Sequence, residues 1–314
     1  MENLLHVSAS PHIHSGRSTQ SIMRAVLLAL LPAAIAGTVI FGLRALLVVA
    51  VCVASCVLFE ALYNKITKKD QTVGDLSAAV TGLLLGLNLP ATAPIWQCII
   101  GCLFAIILVK CLFGGIGYNL VNPAITARVF MLVAFGGSMA SHGMPVIVDT
   151  ASSATPLAIL ANGGADGGTV ALTDLLLGTT GGAIGETCAV ALLVGFVYLL
   201  VRRIITWHIP TAYIGTVFVM YLLTGGFDFM YALSMVLSGG LILGAVFMAT
   251  DYVTSPPTAY GKLLFGLGAG LLTYLIRDFG VYPEGVSFAI LFMNILTPYI
   301  EKLTAHKVFG GTKA

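Results

Sequence analysis

A succession of ten apolar stretches constrains this chain more than any other feature. They lie at about 23–41, 43–63, 76–90, 94–113, 123–136, 182–201, 210–225, 230–249, 262–280 and 285–303. Crossing a bilayer takes roughly 20 apolar residues of helix, and inside the hydrocarbon every backbone polar group must be satisfied within the segment. The stretches therefore predict an all-α integral membrane protein with about ten transmembrane helices. The third, fifth and seventh are short enough to be tilted, broken or re-entrant. Only 9% of residues are charged and 58% are hydrophobic, where a soluble domain carries about 25% charged residues. That balance excludes a soluble enzyme, a nucleic-acid binder and a secreted disulfide scaffold, and makes the lipid bilayer the first expected partner. The first 22 residues are polar, and the apolar stretch after them is too long for a cleaved signal peptide.

Orientation follows from Lys and Arg, which stay on the cytoplasmic side of short loops. Arg17 and Arg24 flank the start of the first stretch. Lys65, Lys68 and Lys69 lie between the second and third, Arg202 and Arg203 between the sixth and seventh, and Lys302, Lys307 and Lys313 at the end. Ten alternating crossings put all four clusters on one side. No Lys or Arg falls between Arg128 and Arg202, so the long polar segment 137–181 is expected outside. The expected division is a cytoplasmic segment 1–22, a single transmembrane domain 23–303 and a cytoplasmic tail 304–314. Arg44 and Arg277 fall on the wrong side of this scheme. Thr81-Gly-Leu-Leu-Leu-Gly86 echoes Ser238-Gly-Gly-Leu-Ile-Leu-Gly244, as two five-span repeats would. Five is odd, so such halves are inverted, with a binding region at their interface; close helix packing through small residues accounts for the echo equally.

Chemistry-bearing residues are few. Asp149-Thr-Ala-Ser152-Ser153-Ala154-Thr155-Pro156 reads either as a connecting Ser/Thr loop or as an acceptor site for a transferred group. The run Gly114-Gly-Ile-Gly-Tyr-Asn119-Leu-Val-Asn122-Pro-Ala124 reads either as a tight turn or as two amides presented to the polar edge of a ring system. The charges singled out within or beside the apolar stretches are Glu60, Lys110, Arg128, Glu186, Asp251, Arg277, Asp278 and Glu284. Lipid-facing charge is costly, so each is a functional candidate; for Lys110, Arg277 and Asp278 snorkelling or interfacial pairing is the simpler reading. Arg128 is placed on the side of Asn119 and Asn122, where it holds a ring oxygen or pairs with Glu60. Cys52 with Cys56, and Cys98 with Cys102, stand four apart on helical faces and are read as core packing, with no metal site expected.

These stretches, with Gly185-Glu186-Thr187, Thr250-Asp251-Tyr252-Val253-Thr254-Ser255-Pro256, Tyr282-Pro283-Glu284-Gly285 and Met293-Asn294-Ile295-Leu296-Thr297-Pro298, resemble in order the RnfD/NqrB family of ion-pumping redox subunits. The shorter N-terminal segment favours the RnfD branch. The resemblance implies a urea-transporter-like fold with an inverted five-plus-five repeat, in the bacterial inner membrane. It also implies FMN joined through its phosphate to Thr155 by a flavin transferase that reads Asp149, Ser152, Ser153 and Ala154. Ser153 stands where the family pattern has glycine. A second, non-covalent flavin such as riboflavin is implied near Asn119, Asn122 and Arg128. The implied function is electron transfer in an Rnf-type complex between ferredoxin and NAD, coupled to Na+ or H+ export, with A, B, C, E and G subunits as partners. The rival is a passive solute channel or secondary transporter of the same fold.

Overall fold

The computed structural model describes residues 18–141, 143, 145–146, 155–161, 171–280 and 284–305. Asp149, Ser152, Ser153, Ala154, Tyr282 and Pro283 lie outside them. Every regular element among the described residues is helical.

Two long helices open the chain. α1 (Thr19–Phe41) starts where the Ser18 hydroxyl accepts the Ser21 N–H at 3.2 Å, and it is separated from α2 (Leu43–Ile66) by Gly42 alone. Gly42 has φ +77°, a left-handed angle that glycine adopts without penalty. After a short 3₁₀ turn come α3 (Ser77–Leu87), α4 (Ile95–Leu103) and a π-helical continuation, Phe104–Cys111. α5 (Pro123–Ala134) is capped by Asn122, whose Oδ1 accepts the N–H groups of Ala124 and Ile125 at 3.0 and 3.3 Å. Pro123 at its first turn lacks only a donor that would be orphaned anyway. Short helices α6 (Gly136–Ala140), α7 (Pro156–Ala161) and α8 (Leu172–Leu177) follow.

The second half holds α9 (Ala189–Val201), α10 (His208–Thr224), α11 (Phe229–Leu237), the three-residue α12 (Leu241–Leu243) with a π-helical extension Gly244–Met248, α13 (Ala259–Phe279) and α14 (Val286–Thr304). α1, α2, α13 and α14 are long and apolar enough to cross a membrane, and α11 with the 241–248 helix makes one more candidate bent by 66°. The bend falls at Ser238–Gly240, where Gly239 has φ +68°, a glycine-made break. Five further apolar helices are shorter. The chain is thus an all-helical membrane protein.

The short segments lie at the centre. All of α3 except Ala79 is buried, and so is the whole of 241–248. A helix apolar all round belongs inside a bundle. Gly82 and Gly86 let α3 lie directly on α2: a methyl at Gly82 would sit 2.7 Å from the Cys52 carbonyl oxygen. Small residues four apart permit this backbone approach. The paired cysteines meet in the same core, all four buried, where Cys102 Sγ donates to the Cys52 carbonyl at 3.5 Å.

Arg44 and Arg277, the two misplaced cations, both donate to backbone carbonyls, Arg44 in the loop between α3 and α4 and Arg277 at the end of α11. Arg44 donates to the carbonyls of Ala91 and Thr92 at 3.0 and 3.2 Å. Arg277 is 6% exposed and donates to those of Met235 and Ser238 at 2.8 and 3.1 Å, where α11 stops. A break inside the bundle frees carbonyls that need donors, so burial replaces the snorkelling expected for Arg277. Asp278, in contrast, is exposed.

Candidate functional site

Two separate recesses hold the polar residues. The first lies beside Thr155, with Glu186, Thr187, Ser238, Gly239 and Glu284 in its wall. Its free volume is about 20 Å³, enough for a water molecule and far too little for a ring system. Thr155 immediately precedes α7, and its Oγ1 accepts the Ala158 N–H at 3.3 Å. The bond uses a lone pair, so the hydroxyl proton remains replaceable, and an ester oxygen there would accept the same N–H. Thr155 therefore fits a phosphoester, with any attached ring lying outward of the recess.

Behind Thr155 sits a group of buried charges. Arg128 is 1% exposed and pairs with Glu284 at 2.5 Å. Arg277 approaches within 3.3 Å of a methyl position on Gly239, and a methyl on Gly240 would meet Glu186 Oε1 at 2.6 Å. Glycine at 240 is what admits the carboxylate. Arg128 Nε and Nη1 and Arg277 Nε are buried with no partner among the described residues.

The second recess is a cavity of about 400 Å³, within the range of sites for small organic ligands. Apolar side chains such as Met23, Leu84 and Phe247 line it alongside Ser77, Lys110, Asn119, Asn122 and Asp251. Asn119 Oδ1 is buried without a partner among the described residues. Asn122 is more committed: besides its two cap bonds, its Nδ2 donates to the Met248 carbonyl at 3.3 Å. The Thr250–Pro256 and Met293–Pro298 segments close on the same point. Asn294, oriented to satisfy both neighbours, donates to the Thr254 carbonyl at 3.2 Å and accepts the Asn122 N–H at 3.1 Å, and Thr297 Oγ1 donates to the Thr254 carbonyl at 2.9 Å.

A model of the NQR2, RnfD, RnfE family matches residues 6–310. The chain belongs to that family. It is 48% identical over 98% of its length, and 96% of the relative's, to the D subunit of the Na(+)-translocating ferredoxin:NAD(+) oxidoreductase complex of Acetobacterium woodii. It is 40% identical to the proton-translocating counterpart of Clostridium ljungdahlii, over 98% of this chain and 97% of that one. The D subunit of the ion-translocating oxidoreductase complex of Aliivibrio salmonicida is 34% identical, over 98% and 99%.

In this family member the predicted site residues divide differently from the sequence reading. Asn119 and Asn122 share one cavity, but Arg128 does not join them. It stands six residues beyond Asn122, about 9 Å along α5, and turns to Glu284 on the Thr155 side. Its alternative partner Glu60 is taken by Lys110 at 2.8 Å. Of the two simpler readings offered for Lys110, pairing holds and snorkelling does not: it is 2% exposed, bonded to Glu60, and lines the cavity. The signal was present as a cation deep in an apolar stretch; the missing step was the fold that brings α2, α3 and the 104–111 helix together.

Proposed function

We propose that this chain is the membrane electron-carrying subunit of an ion-translocating ferredoxin:NAD oxidoreductase complex, with FMN esterified to Thr155 and a second, non-covalent flavin in the Asn119 cavity. The 48% identity to the Acetobacterium woodii protein over nearly the full length of both chains carries the assignment to such a complex; the flavin sites rest on the geometry of the two recesses. Two recesses with no shared wall residue support them: one presents a hydroxyl and the other encloses room for a ring. A solute channel would need one continuous opening instead.

A bound flavin supplies one- and two-electron chemistry, and the protein sets its position and potential. Thr155 anchors one group through its Oγ1. Asn119 presents an acceptor to the other, Asn122 fixes the turn that carries it, and the apolar wall excludes water. The remaining parts belong to partners: no nucleotide fold or clustered-cysteine ligand motif is legible in the sequence, so NAD and ferredoxin chemistry falls to other subunits, and attachment at Thr155 to a flavin transferase reading Asp149, Ser152, Ser153 and Ala154.

In this reading the four long helices, the bent pair and the five shorter helices make ten crossings, five in each half and therefore inverted. Both termini face the cytoplasm of a bacterial inner membrane and 137–181 faces out. The exposed basic residues Arg24, Lys65, Lys68, Lys69, Arg202, Arg203 and Lys302 support that orientation. The test is in-gel fluorescence of the denatured chain. Wild type is fluorescent and Thr155→Val is dark at equal abundance; a colourless wild type would favour the channel.

A further inference from the structure

We propose that Lys110 is the redox-tuning cation of the Asn119 cavity, contacting the N1–C2 carbonyl edge of the non-covalent flavin and binding the reduced ring more tightly than the oxidised one. This rests on reading that cavity as a flavin site.

Two charged side chains stand in the cavity wall, Lys110 and Asp251. Asp251 accepts a bond from Thr254 Oγ1 at 3.2 Å. Lys110 Nζ donates to Glu60 Oε1 at 2.8 Å and to Ser77 Oγ at 2.6 Å. Ser77 and Lys110 belong to the same wall, so the ion pair stands beside the cavity. The ammonium carries three N–H donors, and two are used. Glu60 Oε1 also accepts Thr72 Oγ1 at 2.8 Å, and Ser77 Oγ donates to Asp75, so the cation is held from α2 and from the start of α3.

The chain after Lys110 folds back on it, with the Gly115 N–H donating to the Lys110 carbonyl at 3.0 Å. That reversal carries Asn119 and its unpartnered Oδ1 to the same wall. A cationic donor and a neutral acceptor in one cavity wall complement a flavin's pyrimidine edge, where the C2 carbonyl and N1 accept and N3–H donates. Reduction places negative charge at N1 and C2, and charge near that position tunes flavin electronics. A buried Lys–Glu pair adds little stability over an apolar pair of equal volume, so its position on a cavity wall is the informative fact.

The test uses flavin-depleted purified complex and riboflavin as probe, oxidised or dithionite-reduced, with Kd measured by equilibrium dialysis. Lys110→Met combined with Glu60→Gln removes both charges, so that no lone buried ion remains. The ratio of oxidised to reduced Kd is expected to fall roughly tenfold, the scale of one charge-assisted hydrogen bond. That corresponds to about 30 mV for a two-electron couple. Lys110→Arg should keep the wild-type ratio. Should that double variant fail to assemble, Lys110→Gln combined with Glu60→Gln, which keeps polar side chains of similar size without either charge, is measured instead and should show the same fall. An unchanged ratio with riboflavin still bound overturns the role of Lys110 and leaves the cavity reading intact. No riboflavin binding to wild type overturns the cavity reading and this inference with it.

Discussion

Asn119 and Asn122 stand three residues apart in one cavity, yet the structure predicts opposite outcomes for replacing them. Asn122→Leu removes the cap of α5, worth about 1 kcal/mol, and strands the buried Met248 carbonyl, worth a further 1–3 kcal/mol or so. The sum is roughly 2–4 kcal/mol, which for a chain of this size lowers the melting temperature by roughly 4–8 °C. Asn119→Leu breaks no bond that its Oδ1 makes to the protein, so stability stays within about 0.5 kcal/mol of wild type. It should instead lose the non-covalent flavin by roughly tenfold, the effect of deleting one partner of a buried hydrogen bond. Thermal unfolding of the purified complex, with flavin quantified in the acid-soluble fraction, reads both quantities at once. Equal destabilisation by the two variants, or full flavin retention in Asn119→Leu with a wild-type melting point, would refute the division between cap and ligand.

Three further outcomes follow from packing and charge. Lys110→Met alone leaves Glu60 buried without its cation and should cost about 3–5 kcal/mol, most of it recovered when Glu60→Gln is added; melting temperatures of the three proteins check this. Gly82→Ala drives a methyl to 2.7 Å from the Cys52 carbonyl oxygen and should destabilise by about 1–3 kcal/mol through the forced separation of α2 and α3; Ala79→Gly on the same helix, away from that contact, should cost no more than about 1 kcal/mol. A cysteine at Gly164 should react with an impermeant maleimide in whole cells, and reaction only after lysis would reverse the orientation.

Each apolar stretch read in the sequence contains a helix or the bent pair, because hydropathy reports the burial that helices in lipid require. What it misses is where helix gives way to other backbone. The stretch 182–201 is apolar apart from Glu186 and Thr187, yet α9 begins only at Ala189. The residues before it run as a loop against α3, with Gly185 N–H and Ile184 N–H bonded to the carbonyls of Leu87 and Leu89 at 2.8 and 3.1 Å. The stretch 230–249 reads as one span and breaks at Ser238–Gly240, although Gly239 and Gly240 were visible there. The third and fifth helices are as short as expected, at 11 and 12 residues, whereas the seventh stretch holds a helix of 17. For the site, residue types were legible and pairings were not. Arg128, Lys110, Glu60 and Glu284 all stood out as charges in apolar surroundings, but Arg128–Glu284 spans 156 positions and Lys110–Glu60 spans 50, distances that periodicity does not bridge.

The central claim is that Thr155 carries a flavin, and intact-chain mass spectrometry with peptide mapping tests it most directly. The expected result is a chain heavier by one FMN less one water, the added mass on the peptide containing Thr155, and its loss in Thr155→Val. An unmodified wild-type chain purified from its assembled complex, or the adduct on another residue, would contradict it.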